Sequence, residues 1–131
     1  MSLIRRFENT IHVLEELRHR GIKLAAVTTR SARTSIRSLE TMEIVHFFDT
    51  VVSAEDVMHH KPHPEPLLKA LDALNVKPKR AVMVGDTTAD IGAGKNAGTL
   101  TVAALYGYGG ERLLALQPDY AIRDIRELLE L

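Results

Sequence analysis

The sequence contains no cysteine. Disulfides, thiolate metal centres and thiol nucleophiles are therefore excluded, and a reducing compartment suits the chain. Neither sign of charge is in excess: 17 Lys and Arg face 17 Asp and Glu. With no basic surplus to displace counterions, nucleic acid and anionic membrane are not expected as main partners. No apolar run approaches the roughly 20 residues of a membrane-spanning helix. The opening "MSLIRRFENT" carries no signal-peptide apolar stretch, so a cytoplasmic location is the expectation. Aspartate is missing from the first third of the chain: none precedes Asp49.

What is present reads as one soluble α/β domain spanning residues 1–131. At 45% hydrophobic and 26% charged, the composition is ordinary for a globular protein, and a chain of 131 residues can bury a real core. Residues 9–20, "NTIHVLEELRHR", set Ile11, Leu14 and Leu17 at helical spacing, with Asn9 or Thr10 as cap and Gly21 as terminator. "IKLAAVTT", 22–29, is a short apolar run ending in hydroxyls and predicts a buried strand. Helical and strand patterns then alternate. Helix is predicted over 32–42, 64–75 and 88–97, with shorter helices in "GGERLLALQ" and "IRELLEL". Strand is predicted over 50–53, 80–86, 99–105 and in "DYAIRD". Strands joined through helices imply right-handed crossovers and a mostly parallel sheet. Ligands of such sheets bind beyond the carboxyl ends of the strands.

The residues at those ends form a set. Thr28 and Thr29 close the first strand, Lys61 lies in the loop "HHKPHPEP", and "VGDTTAD" puts Asp86 and Asp90 four residues apart. Two carboxylates suit Mg²⁺, a hard cation that takes oxygen ligands. Asp86 and Asp90 are thus the candidate metal ligands. The Thr28 hydroxyl, the Thr29 backbone N–H and the Lys61 ammonium are candidates for phosphoryl oxygens. Each has an ordinary alternative: Asp86 or Thr87 can simply cap the next helix, Thr28 can be a turn residue, and Lys61 can be solvated. His59, His60 and His63 lack regular ligand spacing and read as solvated loop residues. His12, His19 and His46 read as surface or boundary positions. "GYGG", 107–110, reads as a flexible turn before a helix.

Taken in order, "LAAVTTR", "KPHPEP" and "VGDTTADIGAGKNAG" resemble the motifs of the haloacid dehalogenase-like (HAD) hydrolase superfamily. The phosphoglycolate phosphatase-like branch, with a cap inserted early in the chain, is the nearest in pattern. The resemblance runs from about residue 7 to the closing "PDYAIRDIRELLEL". It implies a three-layer α/β/α Rossmann-like core and Mg²⁺-dependent phosphoryl transfer through an aspartyl-phosphate, with a small phosphorylated metabolite as substrate. Thr28 would hold the phosphoryl group, Lys61 would pair nucleophile and phosphate, and Asp86 with Asp90 beside it would hold the metal.

The resemblance also implies parts that this sequence lacks. Family members carry a DxD at the end of a first strand that lies at the centre of the sheet, between the strand ending at Thr28 and the one ending at Gly85. That strand, its two acids and the cap have no counterpart here. Asp49, in "FFDTVV", stands ahead of a strand rather than after one. The expectation is a partial HAD core that does not turn over phosphomonoesters by itself. The sheet would be completed by direct pairing of its two halves, by a homodimer or complementing N-terminal chain, or by a lost remainder. The alternatives are a non-catalytic subunit that binds phosphate or Mg²⁺, and an unrelated α/β module for a small anion.

Overall fold

Helix and strand alternate as the hydrophobic periodicity requires. The computed structural model describes residues 3–41 and 44–131. In chain order the elements are α1 (Leu3–His19), β1 (Ala25–Val27), α2 (Ala32–Thr41), β2 (Thr50–Val52), α3 (Glu65–Leu74), β3 (Val82–Gly85), α4 (Thr88–Ala97), β4 (Leu100–Ala104) and β5 (Tyr120–Ile122). Single-turn 3-10 helices join several of them, and longer ones cover Gly110–Leu116 and Ile125–Glu130, the stretches expected as a short helix and a terminal helix. α1 runs through Asn9 and Thr10, so neither caps it. It ends at Gly21 as expected: φ is 81°, the Gly21 N–H donates to Arg18 O, and the Ile22 N–H donates to Leu17 O. That pair of bonds satisfies the last helical carbonyls. Among the described residues, no helix is long and apolar enough to cross a membrane.

Every strand pairing is parallel. β1 pairs with β2 in the register Ala25↔Thr50 to Val27↔Val52. β3 pairs with β4 from Val82↔Leu100 to Gly85↔Ala103, and β4 with β5 from Val102↔Tyr120 to Ala104↔Ile122. Alternate residues of β4 serve opposite faces. Ala103 packs with Ile91 of α4 and Leu113, while Val102 and Ala104 pack with Ile122 and Leu128. Helical segments therefore lie on both faces, the layered arrangement expected of a doubly wound α/β fold. α1 packs against 125–130, and its Leu14 joins Ile44 and Phe47 in a further apolar cluster.

The strands form two sheets, β1–β2 and β3–β4–β5. Direct pairing of the halves, one of the three completions open from the sequence, does not occur among the described residues. β1 and β3 are each an edge strand of their half, with one side unpaired among the described residues. A shared floor spans the interval: Leu67 of α3 packs with Ala93 and Ala97 of α4, and Val27 of β1 and Met83 of β3 both rest on them. This floor explains why the halves do not close up. The α3–α4 packing already sets where β1 and β3 lie. Val82 and Val84, on the opposite face of β3, stay 52% and 38% exposed, with Leu100 beside Val82 at 43%. A valine-rich strand with an uncovered face and an unpaired edge is a docking template for another strand.

The small residues of α4 have a steric purpose. A Cβ on Gly94 would fall 2.7 Å from Thr101 Cγ2 and 3.0 Å from Met83 Cβ. Gly94→Ala should gain up to about 1 kcal/mol of helix propensity and lose about 1–3 kcal/mol to overpacking against a rigid sheet. The steric loss wins, because both contacted atoms lie close to backbone. Urea unfolding should show a net destabilisation of about 1–2 kcal/mol, and a more stable variant would refute the close packing.

Candidate active site

Four of the residues picked out at strand ends converge. Thr87 caps α4, its hydroxyl accepting from the Asp90 N–H at 3.1 Å. Asp90 answers as the third residue of the helix. Its Oδ2 accepts from the Thr87 N–H at 3.2 Å and from the Asp86 N–H at 3.1 Å. The capping alternative weighed for this motif is therefore present, and it does more than end a helix. It turns the Asp90 carboxylate back toward the end of β3, where its Oδ1 accepts from Lys61 Nζ at 2.6 Å. Both side chains of this ion pair are only 10% exposed. Gly85 makes room for it, since a Cβ there would lie 2.2 Å from Asp90 Cβ.

Lys61 reaches this point from a loop held against α4. The Asn96 side-chain amide donates to Pro62 O at 2.9 Å, and Pro62 approaches Gly92 closely enough that a Cβ there would lie 3.0 Å from its own. Lys61 Nζ also donates to Val27 O, the last carbonyl of β1, at 3.1 Å. One ammonium thus touches the carboxyl end of β1 and the acid that follows β3. Both strand ends therefore lie on the same side of the molecule. Lys61 has three N–H donors. Two are used in these bonds, and one remains for a ligand.

Thr28 follows Val27 directly. Its N–H donates to Val52 O at 2.9 Å, and its hydroxyl oxygen accepts from the Arg30 N–H at 3.1 Å. A hydroxyl that accepts still has its own proton to give, so Thr28 Oγ1 can donate to an anion. Thr29 is exposed.

Asp86 is half-buried, and the loop after β4 holds it. The Tyr108 N–H donates to Asp86 Oδ2 at 3.0 Å, and the Gly109 N–H donates to Asp86 O at 2.7 Å. The sequence reads "GYGG" as a flexible turn at a strand's carboxyl end, and that position, just beyond the strand beside β3, is the signal that puts it near the site. Asp86 fits a Mg²⁺ ligand by its chemistry. It is an oxygen donor at a strand end, its Oδ1 takes no hydrogen bond among the described residues, and Mg²⁺ settles for one or two carboxylates plus water. Asp90 differs from Asp86 in that both its oxygens already carry protein hydrogen bonds. Among the described residues, no group of three His, Asp or Glu gathers as a ready metal cage.

Other candidates lie elsewhere. Asp49 sits at the opposite, amino end of the β1–β2 pair. Its Oδ2 accepts from the Leu24 N–H at 2.8 Å and its Oδ1 from Arg18 at 3.1 Å. It stands level with Leu24, four residues before Thr28, about 13 Å away at strand rise. His59 and His63 are exposed, and their rings stack at 4.5 Å. The His63 Nδ1 accepts from the Glu65 N–H, and the Glu65 carboxylate accepts from the His59 N–H, so these side chains organise their own loop. His12, His19 and His46 are exposed.

Backbone N–H donors also set the acid response. The Leu24 N–H and then Arg18 hold Asp49 below its usual 3.8. The Thr101 N–H and hydroxyl do the same for Asp119, whose usual value is also 3.8. The His59 N–H lowers Glu65 from 4.5. A lowered folded value means that stability is complete above the ordinary value and is lost as pH falls through the folded one. Urea midpoints should therefore begin to fall below about pH 4.5, and Asp49→Asn with Asp119→Asn should flatten that fall. An unchanged profile in the double variant would refute the assignment.

The arrangement matches known proteins. Residues 2–104 fit the family profile described as haloacid dehalogenase-like hydrolase. The chain belongs to that family. Pyrophosphatase PpaX of Bacillus mycoides is 42% identical to this HAD-like chain over 129 residues, 98% of the chain and 60% of the relative. A crystal structure from Haemophilus somnus, described as a predicted phosphoglycolate phosphatase, superposes with TM-score 0.88 at 29% identity, over 93% of this chain and 55% of that one. A HAD phosphatase from Thermococcus onnurineus gives TM-score 0.81 at 34% identity, over 93% and 55%. The HAD-like chain thus spans 60% of the length of the curated relatives it matches.

Proposed function

We propose that this chain carries the phosphate- and Mg²⁺-holding half of a HAD phosphatase site, acting on a small phosphorylated metabolite. A phosphomonoester of the phosphoglycolate type is the substrate class that the motifs support. Pyrophosphate is the rival that the name of the curated relatives suggests. The observation that carries the reading is Lys61, whose ammonium spans Val27 O at the end of β1 and Asp90 Oδ1 behind β3. A lysine buried to this degree with one N–H left over is built to meet an anion between those strand ends.

In this reading Lys61 and the Thr28 hydroxyl donate to phosphoryl oxygens and hold the group at the carboxyl ends of β1 and β3. Asp86 would hold Mg²⁺, with Asp90 as its neighbour, and the cation would offset the negative charge of phosphate and attacking carboxylate. Asp90 keeps Lys61 aimed. The attacking aspartate comes from outside this sequence, on a complementing N-terminal segment that lies as a strand between β1 and β3. Without it the chain binds but does not turn over.

The test is Mg²⁺-dependent phosphate release from phosphoglycolate and from pyrophosphate, with and without such a segment, and with Asp86→Asn as control. Release that needs both the segment and Asp86 supports the proposal. Release by the chain alone that survives Asp86→Asn would sink it.

A further inference from the structure

The loop after β4 touches Asp86 three ways, and two of them need glycine. A Cβ on Gly107 would lie 2.3 Å from Asp86 Cβ and 2.4 Å from its Oδ2. A Cβ on Gly109 would lie 2.7 Å from Asp86 O and 2.7 Å from Leu113 Cδ2. At Gly109 φ is −73°, a conformation open to any residue, so the demand is for space. That space lets the loop backbone lie on Asp86, which brings the Tyr108 N–H to Oδ2 at 3.0 Å and the Gly109 N–H to the main-chain oxygen at 2.7 Å. On its other side the Asp86 N–H is held by Asp90. Asp86 is thus fixed from both flanks, with Oδ2 in use and Oδ1 without a hydrogen bond among the described residues.

We propose that this two-glycine loop makes Asp86 a one-oxygen cation ligand and so selects Mg²⁺ over Ca²⁺. The inference rests on Asp86 being the cation's ligand. Ca²⁺ takes six to eight oxygens and readily uses both oxygens of a carboxylate, whereas Mg²⁺ requires an octahedron and takes one oxygen at a time. A cation drawing on both Asp86 oxygens has to displace the loop packed on Oδ2, where the Tyr108 N–H lies at 3.0 Å and a Cβ on Gly107 would fall at 2.4 Å. One that draws on Oδ1 alone leaves the loop intact. Tyr108 supplies only its backbone here, and its side chain is 83% exposed.

The experiment is calorimetric titration of the folded chain with MgCl₂ and, separately, CaCl₂. The parent is expected to prefer Mg²⁺. Gly107→Ala, which pushes the carboxylate off the loop, should weaken Mg²⁺ binding about tenfold or more, the usual cost of losing a ligand's outer support. Ca²⁺ binding should change less, so the preference shrinks. Gly21→Ala is the control. Its φ of 81° makes alanine strained, yet nothing lies within 4 Å of the added Cβ, and it sits beyond α1 rather than beside Asp86. It should lose stability while keeping both affinities. An unchanged Mg²⁺-to-Ca²⁺ ratio in folded Gly107→Ala, or an equal loss for both cations, overturns the inference. Parent and Asp86→Asn binding Mg²⁺ equally would instead remove Asp86 as ligand, and the inference with it. Should Gly107→Ala fail to fold, the same change in an Asp86→Gly chain, which lacks the atoms it strikes, is expected to fold. Failure there as well overturns the steric argument.

Discussion

Lys61→Met is expected to destabilise the chain by about 3–5 kcal/mol, the cost of leaving one partner of a buried ion pair alone. The geometry puts this pair at the strong end. Lys61 and Asp90 meet at 2.6 Å with only 10% of each side chain exposed, so water cannot readily replace the missing partner. Asp90→Ala should cost at least as much, because it also strands the N–H groups of Asp86 and Thr87. A domain of this kind has only about 5–15 kcal/mol in total, so either change brings it near the edge of folding. The decisive variant is the double one. Lys61→Met with Asp90→Ala removes both charges, and its loss should be clearly less than the sum of the two single losses. Urea unfolding of the four proteins measures this. Simple additivity would mean that the pair is not coupled, and Lys61 would lose its claim to be held for a ligand.

Much of this site was legible because it is written in local chemistry. "GDTTAD" spaces a cap and an acid three apart, and that spacing alone turns Asp90 back over the helix start. The strand ends were legible because apolar runs stop at hydroxyls, acids and glycines. The Lys61–Asp90 contact was not, since the residues are 29 positions apart and only the packing of Pro62 against Gly92 and Asn96 brings them together. The split sheet was half legible. A missing central strand could be inferred from the motif order, but whether the halves would then pair depends on the α3–α4 floor beneath Val27 and Met83. No periodicity records that floor. The role of the glycine loop was hidden for a similar reason. Gly107 and Gly109 are demanded by a neighbour, Asp86, that lies more than 20 residues earlier.

The open edges lead to the largest expected effect. A peptide or fused segment with four or five apolar β-branched residues ending in D-x-D should enter between β1 and β3, parallel to both. Strand addition supplies main-chain hydrogen bonds on two edges at once, and it sets cross-strand neighbours beside Val82 and Val84, which the chain leaves exposed. The direction is fixed by Lys61, which marks the carboxyl ends of both neighbours; a parallel strand delivers its acids there, beside Thr28 and Asp86. Thermal midpoint should rise with segment concentration, because only the folded chain offers the slot. Phosphate release should rise by on the order of 10⁴-fold or more over the chain alone, the scale on which a nucleophile contributes to a covalent mechanism. Replacing the first aspartate of the segment by asparagine should keep the thermal shift and lose the turnover. That separation is the point of the test, because it distinguishes filling a slot from supplying an attacking group. A segment that raises stability without any turnover would leave the slot and remove the phosphatase. A segment that does neither would mean that the gap between β1 and β3 is closed to a strand.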